Sequence, residues 1–371
     1  MPSQLFSPFT LGGLRLRNRI VVSPMGMHSA VDGVAADWHL MHLGQFAVSG
    51  AGLVITEAVA VEPRGRVSRG DLGLWTDEQV KGFQRIRAFY DAYGSARLGV
   101  QLGHAGRKGS VTTSWEGQGA VPVGAGGWET LSASAIAYPG RNLPSAIDRD
   151  EMARVRGMFA AAARNAVRAG FELIELHAAH GYLLHNFLSP LTNRRDDADG
   201  GSLANRMRFP LEVFAAVRDA VPPGVPVGVR VSATDWVPGG WELPDTEAFC
   251  LALKAEGCAF ICASTGGAVP EQRIPVGPLY QVPFAKALRQ VSGLPVMAVG
   301  LITEPEQAED IVACGQADLV ALGRTMLYQP RWPWLAAERL GVDADYPRQY
   351  DRAHPSMRRS AAFDVARQGV S

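Results

Sequence analysis

The pattern of apolar and polar positions alternates along the chain between short apolar runs and longer stretches with a helical stripe. Residues 20–23, 53–61, 97–104, 171–176, 225–232, 259–264, 294–300 and 317–323 read as strands. Each is short and apolar, the signature of a strand buried on both faces of a parallel sheet. Between and after them, residues 37–49, 77–93, 148–170, 203–220, 246–256, 283–290, 305–313 and 332–339 show helical spacing. The best marked of these opens at Asp148 as N-cap. Glu151 stands three residues on as a capping box, Ile147 and Met152 are placed for a hydrophobic staple, and Gly170 ends the helix. Eight strand–helix units favour an α/β chain closed as a single (β/α)8 barrel over an open doubly wound sheet.

Two segments lie outside that alternation. Residues 9–19 around Gly12-Gly13 predict a hairpin able to plug the bottom of a barrel. Residues 105–147, rich in Gly, Ser and Pro and carrying Trp115 and Trp128, are too long for an ordinary connection after the third strand, so a functional loop or lid is expected there. The barrel is expected to occupy residues 1–340. Residues 341–371 remain as a C-terminal tail.

Composition supports one large core. The chain has 371 residues, 47% of them hydrophobic and 41 of them Gly, enough for a barrel with long loops. Thirty-six basic side chains balance thirty-six acidic ones, so the sequence carries no electrostatic footprint for nucleic acid or an anionic membrane. A small-molecule partner is expected. No signal segment and no membrane-length apolar run is apparent, which points to the cytoplasm. Cys250, Cys258, Cys262 and Cys314 match no zinc, iron–sulfur or C-x-x-C spacing and read as buried free thiols.

The chemistry concentrates at the end of the strand at 171–176. His177, His180 and Tyr182 follow it, where parallel α/β folds place their active groups. Nucleotide fingerprints are missing: no G-x-G-x-x-G follows the first strand, and the run from Gly103 to Ser110 fails the P-loop pattern around Lys108. Gly300 ends the seventh strand and Gly323-Arg324 the eighth, each expected to open a short helix. Loops seven and eight of a barrel are its usual phosphate site. Arg230 within a strand calls for an anionic partner. A metal-dependent hydrolase using His177, His180, His104 and Glu175 is the rival reading. It lacks H-x-H or carboxylate ligands on the early strands and leaves the phosphate loops idle.

Ser23-Pro-Met-Gly26, Glu57-Ala58, Gln101-Leu-Gly-His-Ala-Gly-Arg107, His177-Ala-Ala-His180-Gly-Tyr182, Arg230-Val-Ser, Ala298-Val-Gly300 and Leu322-Gly323-Arg324 together resemble the Old Yellow Enzyme family of FMN-dependent ene-reductases. The particular likeness is to its thermophilic-like, xenobiotic reductase subclass, and it extends to about Arg352. The resemblance implies non-covalent FMN, with NADPH or NADH as reductant. Ser23, Pro24, Met25, Gly26, Ala58 and Gln101 would line the isoalloxazine ring, Arg230 its N1 and C2 carbonyl edge, and Gly300, Gly323 and Arg324 the phosphate. His177 and His180 would hold the carbonyl of an activated alkene such as an enone, enal or maleimide. Hydride from flavin N5 would then reach the β-carbon and a proton from Tyr182 the α-carbon.

His28 replaces a substrate-contacting tyrosine, and Gly26 replaces a cysteine near the flavin, which would leave that wall of the pocket roomier. The resemblance also implies a homodimer or homotetramer. In it the tail contributes to a dimer interface, and Arg352, in Tyr350-Asp-Arg352, lines the substrate pocket of a neighbouring subunit.

Overall fold

The computed structural model describes residues 2–355. The hairpin at the start is β1 (Phe9–Leu11) and β2 (Leu14–Leu16), antiparallel as its Gly-Gly turn predicts. Eight parallel strands follow in chain order and close into a barrel. They are β3 (Ile20–Val22), β4 (Leu53–Ala60), β5 (Arg97–Gly103), β8 (Leu173–Ala178), β9 (Val227–Ser232), β10 (Ile261–Ser264), β11 (Val296–Ala298) and β12 (Leu319–Leu322). A two-residue parallel pair, β6 (Leu131–Ser132) and β7 (Ser145–Ala146), sits inside the long loop after β5.

The helices are α1 (Asp37–Ala47), α2 (Asp77–Tyr93), α3 (Arg149–Ala169), α4 (Leu183–Leu188), α5 (Leu203–Asp219), α6 (Leu243–Ala255), α7 (Val282–Ser292), α8 (Pro305–Ala313), α9 (Arg324–Tyr328) and α10 (Trp332–Arg339). Of these, α9 is the short helix expected after Gly323, while α4 is a six-residue piece that the apolar spacing is too short to reveal. Among the described residues no helix is long and apolar enough to cross a membrane.

Two apolar layers hold the barrel. The inner one packs Leu11 and Leu16 of the hairpin against Val21, Leu53, Leu173, Phe260, Met297 and Leu319, so the hairpin does plug the barrel's lower end. Burying each of those two leucines fully contributes about 1.5–3 kcal/mol. The outer layer lies between strands and helices and includes Met152, Val155, Phe159, Ala162 and Ala166 of α3.

Some local expectations need correction. The Asp148 side chain accepts from the Glu151 N–H at 2.8 Å, but the capping box is only half made. The Glu151 carboxylate turns instead to Arg154, at 2.8 Å, and to Arg64. An ion pair to two guanidinium groups outcompetes one exposed backbone N–H. Cys314 is exposed while the other three thiols are buried, because it closes the last turn of α8 on the solvent side. Gly300 does not open a helix directly, since α8 begins only at Pro305. His177 belongs to β8 itself rather than to the turn beyond it.

The start of the tail is anchored. Tyr346 stacks on Trp334 of α10 with ring centroids 4.4 Å apart, and Arg331 covers both Trp334 and Tyr350. Residues of the tail beyond 355 lie outside the described part of the chain.

Candidate active site

The carboxyl ends of the strands open onto two adjoining cavities that share Pro24 and Arg230 in their walls. One, of about 350 Å³, is lined by Gly26, His28, Glu57, Ala58, Gln101, His177, His180 and Tyr182 among others. The second, of about 250 Å³, is lined by Ser23, Met25, Ser264, Tyr280, Gln281, Gly300, Gly323 and Arg324. The structure therefore brings together every candidate site residue except Arg352. That residue is exposed, lies in a short helical turn at Arg348–Ala353, and faces a separate surface cavity with Trp334 and Tyr350.

Register explains how the residues of the first cavity converge. Ala58, Gln101 and Glu175 stand side by side on β4, β5 and β8, and His177 stands beside Arg230 on β9. Between Ile55 and Ala58 the β4 register slips against β5. Such a bulge bends a strand and re-aims its side chains, and here it carries Glu57 and Ala58 to the mouth. Glu57 Oε2 then accepts the Met27 N–H at 3.0 Å, which ties β4 to the segment after β3.

His180 takes a left-handed backbone conformation, φ 59°, followed by Gly181 at φ 73°. The glycine is required by crowding as well as by φ. A Cβ there would stand 2.3 Å from the Gly267 carbonyl oxygen. This turn swings His180 back over β8, so that its Nδ1 lies 3.3 Å from His177 Nε2.

The Ala179 N–H donates to His177 Nδ1 at 3.2 Å, which puts the His177 proton on Nε2, facing the cavity. His180 Nε2 lies 2.7 Å from Ser264 Oγ, whose hydroxyl donates to Gln281 Oε1 at 3.1 Å, so His180 carries its proton on Nε2 and its Nδ1 accepts the His177 Nε2–H. Burial pushes the pKa of both imidazoles well below the usual histidine value, with Arg230 adding to the effect. Both rings are therefore neutral at physiological pH.

Tyr182 packs edge-on against His177, with centroids 4.8 Å apart. Burial raises its phenol to about 12, with Asp71 adding to the rise. The hydroxyl therefore keeps its proton. Lys108, which the failed P-loop pattern leaves without a role, lies half-buried beneath this turn. Its ammonium donates to the His180 carbonyl at 2.8 Å and to the Gly267 carbonyl, fastening the two loops together. Burial, with Arg107 and Arg141 nearby, pulls its pKa down to about 7.

Glu175 is fully buried. Its Oε1 accepts from Gln101 at 2.7 Å, and burial holds its pKa up against the pull of Arg230. His104 faces elsewhere, with Nε2 3.0 Å from Glu62 and Nδ1 accepting the Gly106 N–H. The residues of the rival metal reading thus do not converge. Among the described residues no group of three His, Cys, Asp or Glu side chains is arranged to hold a metal ion.

Several lining residues carry no motif signal, among them Asp71, Ser264, Tyr280 and Gln281. Asp71 sits in a Ser68-Arg-Gly-Asp turn, and a turn carboxylate does not announce which ring it will meet.

The family model described as the NADH:flavin oxidoreductase / NADH oxidase family matches residues 4–342. The chain belongs to the Old Yellow Enzyme family. It is an NAD(P)H-dependent FMN oxidoreductase. It is 43% identical over 355 residues to an NADPH dehydrogenase of Geobacillus thermodenitrificans, covering 95% of this chain and 99% of that relative. It is 44% identical over 354 residues to an NADPH dehydrogenase of Listeria monocytogenes, with the same coverage. Among solved structures it resembles morphinone reductase in complex with tetrahydroNAD, with a TM-score of 0.75 and 29% identity over 96% of this chain and 94% of that one. An Old Yellow Enzyme homologue from Zymomonas mobilis is similar at a TM-score of 0.74 and 25% identity, covering 93% of this chain and 95% of that one. The barrel and the family read from the sequence both stand.

Proposed function

We propose that this enzyme is an ene-reductase, which uses NADPH or NADH to reduce the double bond of an activated alkene. The observation that carries the reading is the meeting of His177 Nε2 and His180 Nδ1 at 3.3 Å over one cavity, with a protonated phenol packed on His177. A carbonyl oxygen set between the rings would take two donors, His177 Nε2–H and, once the Ser264 hydroxyl turns to donate to His180 Nε2, His180 Nδ1–H. They stabilise the negative charge that grows on it when the conjugated β-carbon accepts hydride. Tyr182 holds the proton that the α-carbon then needs.

The residues present fit FMN. Arg230 Nε is buried with no hydrogen-bond partner among the described residues, and a guanidinium left so calls for an acceptor such as the N1–C2 edge of an isoalloxazine. Ser23, Pro24, Met25, Gly26, Ala58 and Gln101 would line the ring, and Gly300, Gly323 and Arg324 would hold the phosphate in the adjoining cavity. When bound, FMN supplies the hydride carrier between nicotinamide and alkene. His28, which lines the same cavity, would also touch the substrate.

The barrel is proposed as one unit over residues 1–340, with residues 341–371 as a tail at a homodimer interface, within a dimer or tetramer, through which Arg352 reaches a neighbour's pocket. Isotope placement tests the chemistry. Reduction of an enone in D₂O should put deuterium on the α-carbon, and reduction with 4-deuterated NADPH should put it on the β-carbon. Deuterium at the carbonyl carbon, as in a simple ketone reduction, would overturn the reading.

A further inference from the structure

His28 and Gly26 both depart from the subclass pattern, and the structure makes them one feature. His28 Nδ1 lies 2.8 Å from Asp71 Oδ1 and 3.0 Å from Ser68 Oγ. Asp71 is itself fixed: its Oδ2 accepts the Val67 N–H at 2.7 Å, and its Oδ1 accepts the Ser68 hydroxyl at 2.8 Å. The Nδ1 position therefore always carries a proton. Nε2 is the free end, and the imidazole edge that bears it faces Gly26. A Cβ on Gly26 would sit 3.5 Å from Nε2 and 3.8 Å from Cε1. A larger side chain at position 26 would extend from there across the ring's open edge. Glycine leaves that edge open to the cavity which His28 shares with His177, His180 and Tyr182.

We propose that His28, anchored by Asp71 and uncovered by Gly26, is a specificity residue that recognises a second acceptor on the substrate. It favours neutral ene-diones and cyclic imides over alkenes with a single carbonyl, and does so only when protonated. This rests on the ene-reductase reading and deepens it. With the first carbonyl between His177 and His180, a second oxygen across the alkene would meet His28, which lines the same cavity.

Because Asp71 holds the Nδ1 proton, neutral His28 offers only a lone pair at Nε2, and only the imidazolium donates. A tyrosine at this position would donate throughout the neutral range. The groups around His28 set both its charge and the kind of ligand. The hydrogen bond to Asp71 raises its pKa above the ordinary histidine value against the opposing effect of burial, and Asp71 and Glu57 add charge attraction. The donor form is therefore present below that raised value and is lost as pH rises through it.

Glu57 lies in ion-pair range of His39, at 3.3 Å. Trp115 meets the His28 ring edge-on at 6.1 Å, and Glu116 beside it bonds Thr113 and faces Arg69. Arg230 and the neutral phenol of Tyr182 complete the charged and titratable groups of the cavity outside the histidine pair. With Asp71 and Glu57 both on this wall, a carboxylate on the substrate would be repelled, so the second acceptor is a neutral one.

The test uses holoenzyme and two probes, 2,6,6-trimethylcyclohex-2-ene-1,4-dione and 2-methylcyclohex-2-en-1-one, compared by their ratio of kcat/KM so that common pH effects cancel. In the wild type the ratio should fall at least roughly tenfold from about pH 5.5 to about pH 8.5, the lower end of what one hydrogen bond to a charged donor contributes. His28→Tyr should hold the high ratio at both ends and His28→Phe the low one. Asp71→Asn should move the midpoint to lower pH. A wild-type ratio independent of pH, or a fall that persists in His28→Phe, would overturn the proposal while leaving alkene reduction in place. A protein that reduces neither probe at any pH would remove the underlying reading as well.

Discussion

Replacing Tyr182 with Phe isolates one proton. The ring stays packed against His177, whose centroid is 4.8 Å away, and no hydrogen bond among the described residues is lost, because the hydroxyl faces the cavity. Stability should therefore change by no more than about 0.5 kcal/mol. What disappears is a phenol that keeps its proton up to about 12 and stands at the substrate's α-carbon in the proposed pose. Loss of a positioned general acid slows a reaction by about 10²–10⁴, or about 3–5 kcal/mol of barrier. Anaerobic stopped-flow absorbance separates the two halves of turnover. The half in which NADPH delivers its electrons should keep its rate, and the half in which an enone takes them up should slow by that factor. Equal slowing of both halves would mean that Tyr182 supports the pocket rather than the proton. No slowing of either would assign the proton to another donor or to water.

Four further outcomes follow from the same geometry. Arg324→Ala should lower FMN content after gel filtration, since a charge-assisted phosphate contact is lost, while circular dichroism stays that of a folded barrel. Gly26→Cys should be accommodated, because its Cβ meets the His28 ring at ordinary contact distance, 3.5 Å; a measured flavin potential identical to wild type would mean that position 26 does not reach the ring. Deletion from Arg348 onward should raise the enone KM more than it lowers FMN content, and a fully active monomer would remove the proposed role of Arg352. Glu62, though buried, is held down to about 2 by His104 and Arg154. It should thus contribute stability above about pH 4.5 that is lost as pH falls toward 2; Glu62→Gln should flatten that acid limb in urea denaturation, by up to about 3 kcal/mol.

The barrel was legible because buried parallel strands and amphipathic helices write their periods directly into the chain. Single short-range signals sufficed for the hairpin plug, for Gly170 and for the Asp148 cap. The site was legible where its residues share a strand end, as His177, His180 and Tyr182 do. It was illegible where it depends on pairing between distant turns. Asp71 meets His28 across 43 positions, and Ser264 meets His180 across 84. Neither partner has a spacing that could reveal it. The bulge at Glu57 is likewise a matter of register between β4 and β5, and no local residue choice encodes it alone. Lys108 shows the opposite failure: a run that superficially resembles a phosphate loop supplies instead a half-buried lysine that latches the His180 turn to Gly267.

The central claim, that one site passes electrons from a nicotinamide to an activated alkene, is tested most directly by following the visible spectrum of the purified protein under anaerobic conditions. The account predicts a yellow protein with about one FMN per chain. Its absorbance should bleach on addition of one equivalent of NADPH and return on addition of one equivalent of an enone, which is converted to the saturated ketone. A protein that bleaches with NADPH but recovers only when oxygen is admitted, leaving the enone unchanged, would contradict it.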